Sequence, residues 1–358
     1  MTRARLRDLG IQIGRLPTGP NNAITDVPGV LVGHTTLIRD TPEVVRTGVT
    51  MILPRDGAVG KDNVFAGFHR FNGCGEMTGI QWLEETGILT SAIGLSNTHQ
   101  IGLVRDAMAD YSFVNERTGP FYLPVAAETY DGWLNDMGSL PLAREHVFEA
   151  MANAKSGPVE EGNVGGGTGM ICYEFKGGIG TSSRVVETGG GRYTVGALVQ
   201  ANHGERDQLR VDGAPVGLEI GVDRVPSAFE EPSPLSSILV IIATDAPLLS
   251  DQCRRLAQRA TVGLARTGGI GQNTSGDLFL AFATGQHIPA FARETIPLSP
   301  MLSNQQINPF FEATADAVEE AILNALTAAE TMTGYQGHTA HALPLDELQR
   351  VLAKYRRL

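Results

Sequence analysis

A serine stands where a proline-rich stretch meets the most β-branched apolar run of this chain. Residues 226–236 (PSAFEEPSPLS) hold three prolines, and residues 237–243 (SILVIIA) follow directly. Proline removes amide donors and blocks a central strand, so the first stretch predicts an exposed loop and the second a strand. On position alone Ser237 is an ordinary turn residue. A cut ahead of it would put a hydroxyl and a free α-amine on one residue at the start of a rigid strand. An α-amine has a reference pKa of about 8 and is suited to take the proton of its own hydroxyl.

Other residues carry chemistry beside a plain structural reading. Ser275-Gly276-Asp277 precedes the apolar run 278–283. That triplet is either a turn with a local Asx bond or a hydroxyl–carboxylate pair that orients a nucleophile. Asn202 closes an alternating stretch (193–201) and is either a turn former or an oxyanion donor. Glu128 ends an apolar stretch (121–127). A buried carboxylate there needs a partner, and a substrate ammonium would be one. The glycine-dense 162–169 (GNVGGGTG) lacks the Lys-Ser/Thr of a phosphate loop and is followed by a strand-like run, so it predicts tight turns lining a site. The three cysteines are widely spaced, which predicts reduced thiols, and no His or Cys pair has metal-ligand spacing. No cofactor and no metal are expected.

These residues must be positioned by interleaved strands and helices. Strands are predicted at 30–32, 50–53, 89–95, 193–201, 237–243 and 278–283. Helices are predicted at 75–86, 99–109, 248–267, 310–332 and 345–355. Several strands are apolar on both faces, which predicts a sheet with helices on its outer side; strand direction is left open. No repeats divide the 358 residues, and 42% hydrophobic content fits a globular chain of one large domain or two ordinary ones; a single domain spanning 1–358 is expected. Glycine is high, 43 residues or about 12% against a usual ~7%. The net charge of −11 argues against nucleic acid and anionic membranes. The basic N-terminus has no apolar run behind it and no segment approaches ~18 apolar residues, so a cytoplasmic protein without membrane spans is expected.

Six stretches together resemble the self-processing aminopeptidases that include the L-aminopeptidase/D-amidase-esterases and the β-peptidyl aminopeptidases. They are 21–34 (NNAITDVPGVLVGH), 123–136 (LPVAAETYDGWLND), 161–170 (EGNVGGGTGM), 196–204 (GALVQANHG), 237–249 (SILVIIATDAPLL) and 275–284 (SGDLFLAFAT). The resemblance implies an αββα sandwich like that of N-terminal nucleophile hydrolases, with different connectivity. It implies self-cleavage between Ser236 and Ser237 into chains 1–236 and 237–358, which stay together, and Ser237 as nucleophile. It places the oxyanion donor at Asn202, the carboxylate for the substrate's amino group at Glu128, a site tyrosine at Tyr130, and a supporting serine and acid at Ser275 and Asp277. It further implies a homo-oligomer acting on short peptides, amino-acid amides or esters. Two departures stand out. Gly or Asn often precedes the cut in that family, whereas here Ser236 does and is a competing nucleophile. Asp277 stands where some β-peptide-cleaving members have Glu, which makes α-aminopeptidase activity the stronger expectation.

Two rival readings follow from the same residues. One is an ornithine acetyltransferase-like acyl transferase, which would want a threonine at the loop–strand junction. The other is a non-catalytic small-molecule binding protein using the glycine loop.

Overall fold

The centre of the molecule is β11 (Ser236–Thr244), and the expected apolar run forms it. The computed structural model describes residues 3–56, 60–113, 121–229 and 236–356; positions 230–235 of the proline-rich stretch lie outside them. Every residue of β11 is buried. Ile238, Val240 and Ile242 face a core shared with two long helices, while Leu239, Ile241 and Ala243 face a core between two sheets. A strand covered on both faces reads as a continuous apolar run, which is why the period of two is hidden in the sequence.

The first, four-stranded sheet runs β1-β2-β5-β6 and the second runs β4-β3-β12-β11-β10-β9. In chain order their strands are β1 (Leu31–Arg39), β2 (Val45–Leu53), β3 (Asp62–Arg70), β4 (Ile88–Leu89), β5 (Ile93–Asn97) and β6 (Val125–Thr129). A small hairpin, β7 (Ile171–Cys172) and β8 (Phe175–Lys176), precedes β9 (Gly178–Thr188), β10 (Gly191–Asn202), β11 and β12 (Ser275–Pro289). Helices α1 (Ile80–Thr86), α2 (Ile101–Tyr111), α3 (Arg144–Ala152) and α4 (Val216–Glu219) come before the long α5 (Ser250–Arg266) and α6 (Asn308–Ala328); α7 (Leu345–Lys354) is last. Side chains of α2 and α3 cover the outer face of the first sheet, and those of α5 and α6 cover the outer face of the second. The layers are therefore αββα, as expected. Both sheets mix directions: β11 pairs with β12 in parallel, joined through α5, while β10 and β9 are antiparallel.

Three expectations change. The helix predicted over 75–86 begins only at Ile80, because the preceding backbone pairs with β6: Thr78 N–H donates to Ala126 O at 2.9 Å and Met77 bridges Ala127. The single strand predicted over 89–95 is two, since Leu89 belongs to one sheet and Ile93 to the other. Strand β3 and helix α3 were not foreseen; β3 is recruited by its pairing with β12 rather than by a strong pattern of its own. Among the described residues no helix is long and apolar enough to cross a membrane.

Candidate active site

The end of the second sheet gathers the residues singled out above. In register, Asn202 of β10 lies opposite Ser237 of β11, and Ser237 lies beside Gly276 of β12. By alternation the Ser237 and Asn202 side chains share the face that looks between the sheets, with Leu239 and Leu198. Ser236, Ser275 and Asp277 share the opposite face, with Ile238 and Phe279.

The Ser237 hydroxyl donates to the carbonyl oxygen of Ser236 at 2.6 Å and accepts from Gly276 N–H at 3.1 Å. Its oxygen thus lies against the carbonyl of the peptide whose cleavage would release its own amine. Asn202 is held at both ends of its carboxamide. Its Oδ1 accepts from Ile171 N–H at 2.8 Å, and its Nδ2 donates to Tyr130 O at 3.0 Å. Those two partners fix which end carries the hydrogens, and one of the two N–H bonds remains for another acceptor.

Glu128, at the end of β6, is 4% exposed. Its Oε1 accepts from Glu76 N–H at 2.9 Å, and Oε2 takes a short hydrogen bond from the Thr98 hydroxyl. Burial raises its carboxyl above the usual carboxylate range, and the Thr98 and Glu76 bonds oppose that rise. Gly75 links this carboxylate to the serine. A Cβ there would stand 3.2 Å from both Glu128 Oε1 and Gly276 Cα, a tight fit that a side chain could take only if one of them shifted by a few tenths of an ångström. A cleft of about 720 Å³ also reaches Gly75, with Phe68, Met77, Ile80 and Leu278 among its walls. Tyr130 is half-buried, and burial raises its phenol above the ordinary value. The phenol packs over Gly132, while the main-chain carbonyl of Tyr130 makes the link to Asn202.

On the other face, Ser275 donates to Asp277 Oδ1 at 2.6 Å, and Asn72 donates to Asp277 Oδ2 at 3.3 Å. Burial raises the Asp277 carboxyl, with both bonds opposing. The Ser275 and Ser236 hydroxyls are 3.5 Å apart, and Gly204 N–H donates to Ser236 Oγ at 3.3 Å. The Ser275–Asp277 pair therefore flanks residue 236 across the strand from the Ser237 hydroxyl. Ser236, the competing nucleophile, looks away from Asn202. Buried His203 lines the same small recess as Ser236 and Ser275, and burial pulls its imidazole down to about 3, so it is uncharged.

Sequence reasoning missed Thr98, Gly75, the Ile171 amide and Lys176. Thr98 sits in a polar turn after β5 and carries no pattern. Lys176 lies in the strand-like run that follows the glycine-dense 162–169, where no pattern marks a buried charge. Among the described residues no cluster of His, Cys, Asp and Glu could hold a metal ion.

The arrangement can present a serine oxygen, an amide donor and a buried carboxylate to one substrate, which suits acyl transfer from an amine-bearing compound. Comparison with known proteins bears on this directly. The model of peptidase family S58 matches residues 22–340. Beta-peptidyl aminopeptidase BapA of Sphingosinicella microcystinivorans is 46% identical over 371 aligned positions, covering 99% of this chain and 93% of its own. Its namesake from Sphingosinicella xenopeptidilytica is 44% identical, covering 97% and 90%. The solved beta-aminopeptidase of Burkholderia sp. matches with a TM-score of 0.91 at 50% identity, over 98% of this chain and 99% of that one. The L-aminopeptidase D-Ala-esterase/amidase of Ochrobactrum anthropi, described as a variant of the Ntn hydrolase fold, matches at 0.91 and 45% identity, over 99% of both. With the family model spanning most of the chain and both sequence and fold shared end to end with these enzymes, the chain belongs to peptidase family S58, as a hydrolase of the aminopeptidase kind.

Proposed function

We propose that this chain is a self-processing serine aminopeptidase that cuts between Ser236 and Ser237 and then uses Ser237 as an N-terminal nucleophile. The observation that carries the reading is the Ser237 hydroxyl lying 2.6 Å from the Ser236 carbonyl oxygen, in register with Asn202. In processing, Ser237 Oγ attacks the Ser236 carbonyl carbon and its proton passes to the leaving nitrogen. The C–N bond breaks to leave an ester on Oγ, and water hydrolyses that ester. The products are a carboxylate at residue 236 and a free α-amine at residue 237.

In turnover the α-amine takes the hydroxyl proton as Oγ attacks the substrate carbonyl. Asn202 Nδ2 stabilises the oxyanion. The leaving amine departs with the proton, and water releases the acyl group. Ser275, aligned by Asp277, bonds the new amine. Glu128 binds the substrate's free ammonium and restricts the enzyme to amino-terminal residues. Substrates are short peptides, amino-acid amides or esters with a free α- or β-amine. The relatives named for β-peptides support the second class.

Two variants test the nucleophile. Processing is read on a denaturing gel and turnover with alanine p-nitroanilide. Ser237→Ala abolishes both, while Ser236→Ala keeps both. Normal turnover in Ser237→Ala would eliminate the mechanism.

A further inference from the structure

The peptide group between Met170 and Ile171 is engaged at both ends. Its oxygen accepts from Lys176 Nζ at 2.8 Å and from Gly177 N–H at 2.9 Å; its N–H donates to Asn202 Oδ1 at 2.8 Å. Lys176 is fully buried. Its other contacts are the carbonyls of Gly167 at 3.3 Å and Gly177 at 2.8 Å, and no carboxylate pairs with it among the described residues. A buried ammonium without a counter-ion is costly, and a neutral donor could hold a turn without that cost. One chain of bonds starts from this charge: Lys176 Nζ–H to Met170 O, Ile171 N–H to Asn202 Oδ1, and then Asn202 Nδ2, which donates one N–H to Tyr130 O and keeps the other. Hydrogen bonds in such a chain polarise one another, so positive charge at one end makes the far N–H a stronger donor.

We propose that Lys176 is a positioning residue for the acyl-transfer site, orienting and polarising the Asn202 carboxamide through the 170–171 peptide. The inference rests on Asn202 being the oxyanion donor. Burial pulls the ammonium down to about 7, and nearby Cys172 opposes that shift.

A double-mutant cycle tests it, using Lys176→Met, Asn202→Ala and the double variant. For each, kcat and KM on alanine p-nitroanilide are measured per mole of cleaved chain, together with the self-cleavage rate and the thermal midpoint. Lys176→Met is expected to lower kcat about 10-fold, less than loss of the donor itself, with KM nearly unchanged. In the Asn202→Ala background the same change is expected to alter kcat less than about 2-fold, since the group it acts through is gone. Lys176→Gln keeps a neutral donor and carries the same cycle if Lys176→Met does not fold; its kcat is expected to fall likewise. Where cleavage is slowed too far for turnover, the cleavage rate is read in the same cycle. Additive losses, or wild-type kcat in folded Lys176→Met or Lys176→Gln, overturn the inference. Wild-type kcat in Asn202→Ala overturns the reading of Asn202 instead, and the two failures are distinct.

Discussion

In the proposed mechanism Asn202 and Glu128 divide the work, one facing the charge that develops and the other the charge that substrate brings. Removing an oxyanion donor costs about 10²–10³ in kcat, so Asn202→Ala is expected to fall by that factor in steady-state turnover and to slow self-cleavage as well. A loss of stability alone would make Asn202 a turn residue. Among the described residues no arginine or lysine bonds Glu128, only the Glu76 amide and the Thr98 hydroxyl. On the proposed reading an ammonium meets this buried carboxylate, and an N-acetylated substrate leaves it without a counter-charge. Comparing kcat/KM for alanine p-nitroanilide and its N-acetyl form should give a strong preference for the free amine in wild type, mostly lost in Glu128→Gln. Below its raised pKa Glu128 is protonated and uncharged, so the grip on ammonium is lost as pH falls. The α-amine of Ser237 loses its basicity on the same side, so log kcat/KM falls through two ionisations in wild type and one in Glu128→Gln.

At the scale of elements, β11 and β12 do the positioning, because parallel neighbours in register place Ser237 beside Gly276 and Ser236 beside Ser275. The alternation of a strand sends the two serines of one dipeptide to opposite faces. Ser275→Ala is therefore expected to slow cleavage and turnover without moving the cut, as read by gel and by mass. An unaltered rate would make the Ser275–Asp277 pair a turn. Helix α6 is fixed to β9 by Glu320, which is fully buried against Arg184 at 2.6 Å and also binds Arg7 at 2.8 Å. Glu320→Gln leaves two guanidiniums short of their carboxylate and should cost about 3–5 kcal/mol in denaturant unfolding, far from the chemistry. Much of this scale was legible. The run 237–243 announced β11, and Asn202 at the end of an alternating stretch announced its place at a strand end. The face each residue takes was not legible, because β11 is apolar on both sides and its period is hidden. Nor were β3 and the non-helical 75–79 backbone, whose form comes from pairing with β12 and β6 rather than from local preference.

At the scale of the whole molecule, two sheets packed face to face bring Glu128 of the first towards Gly276 of the second, with Gly75 between them, and Gly276 N–H bonds the Ser237 hydroxyl. Membership of a peptidase family sets aside the reading of a non-catalytic binding protein. The glycine-dense 162–169, read from sequence as turns lining a site, ends in the Met170–Ile171 peptide that holds Asn202, so its part is to shape the site. Because β11 is buried between both cores, chain 237–358 is expected to remain bound to chain 1–236 after cleavage. Intact mass spectrometry of the purified protein, with N-terminal sequencing, tests the central claim most directly. Two associated chains are expected, of about 25 and about 13 kDa by proportion of 38.1 kDa, the smaller beginning at Ser237. A single uncut chain that hydrolyses alanine p-nitroanilide at full rate, or a smaller piece that begins at another residue, would contradict it.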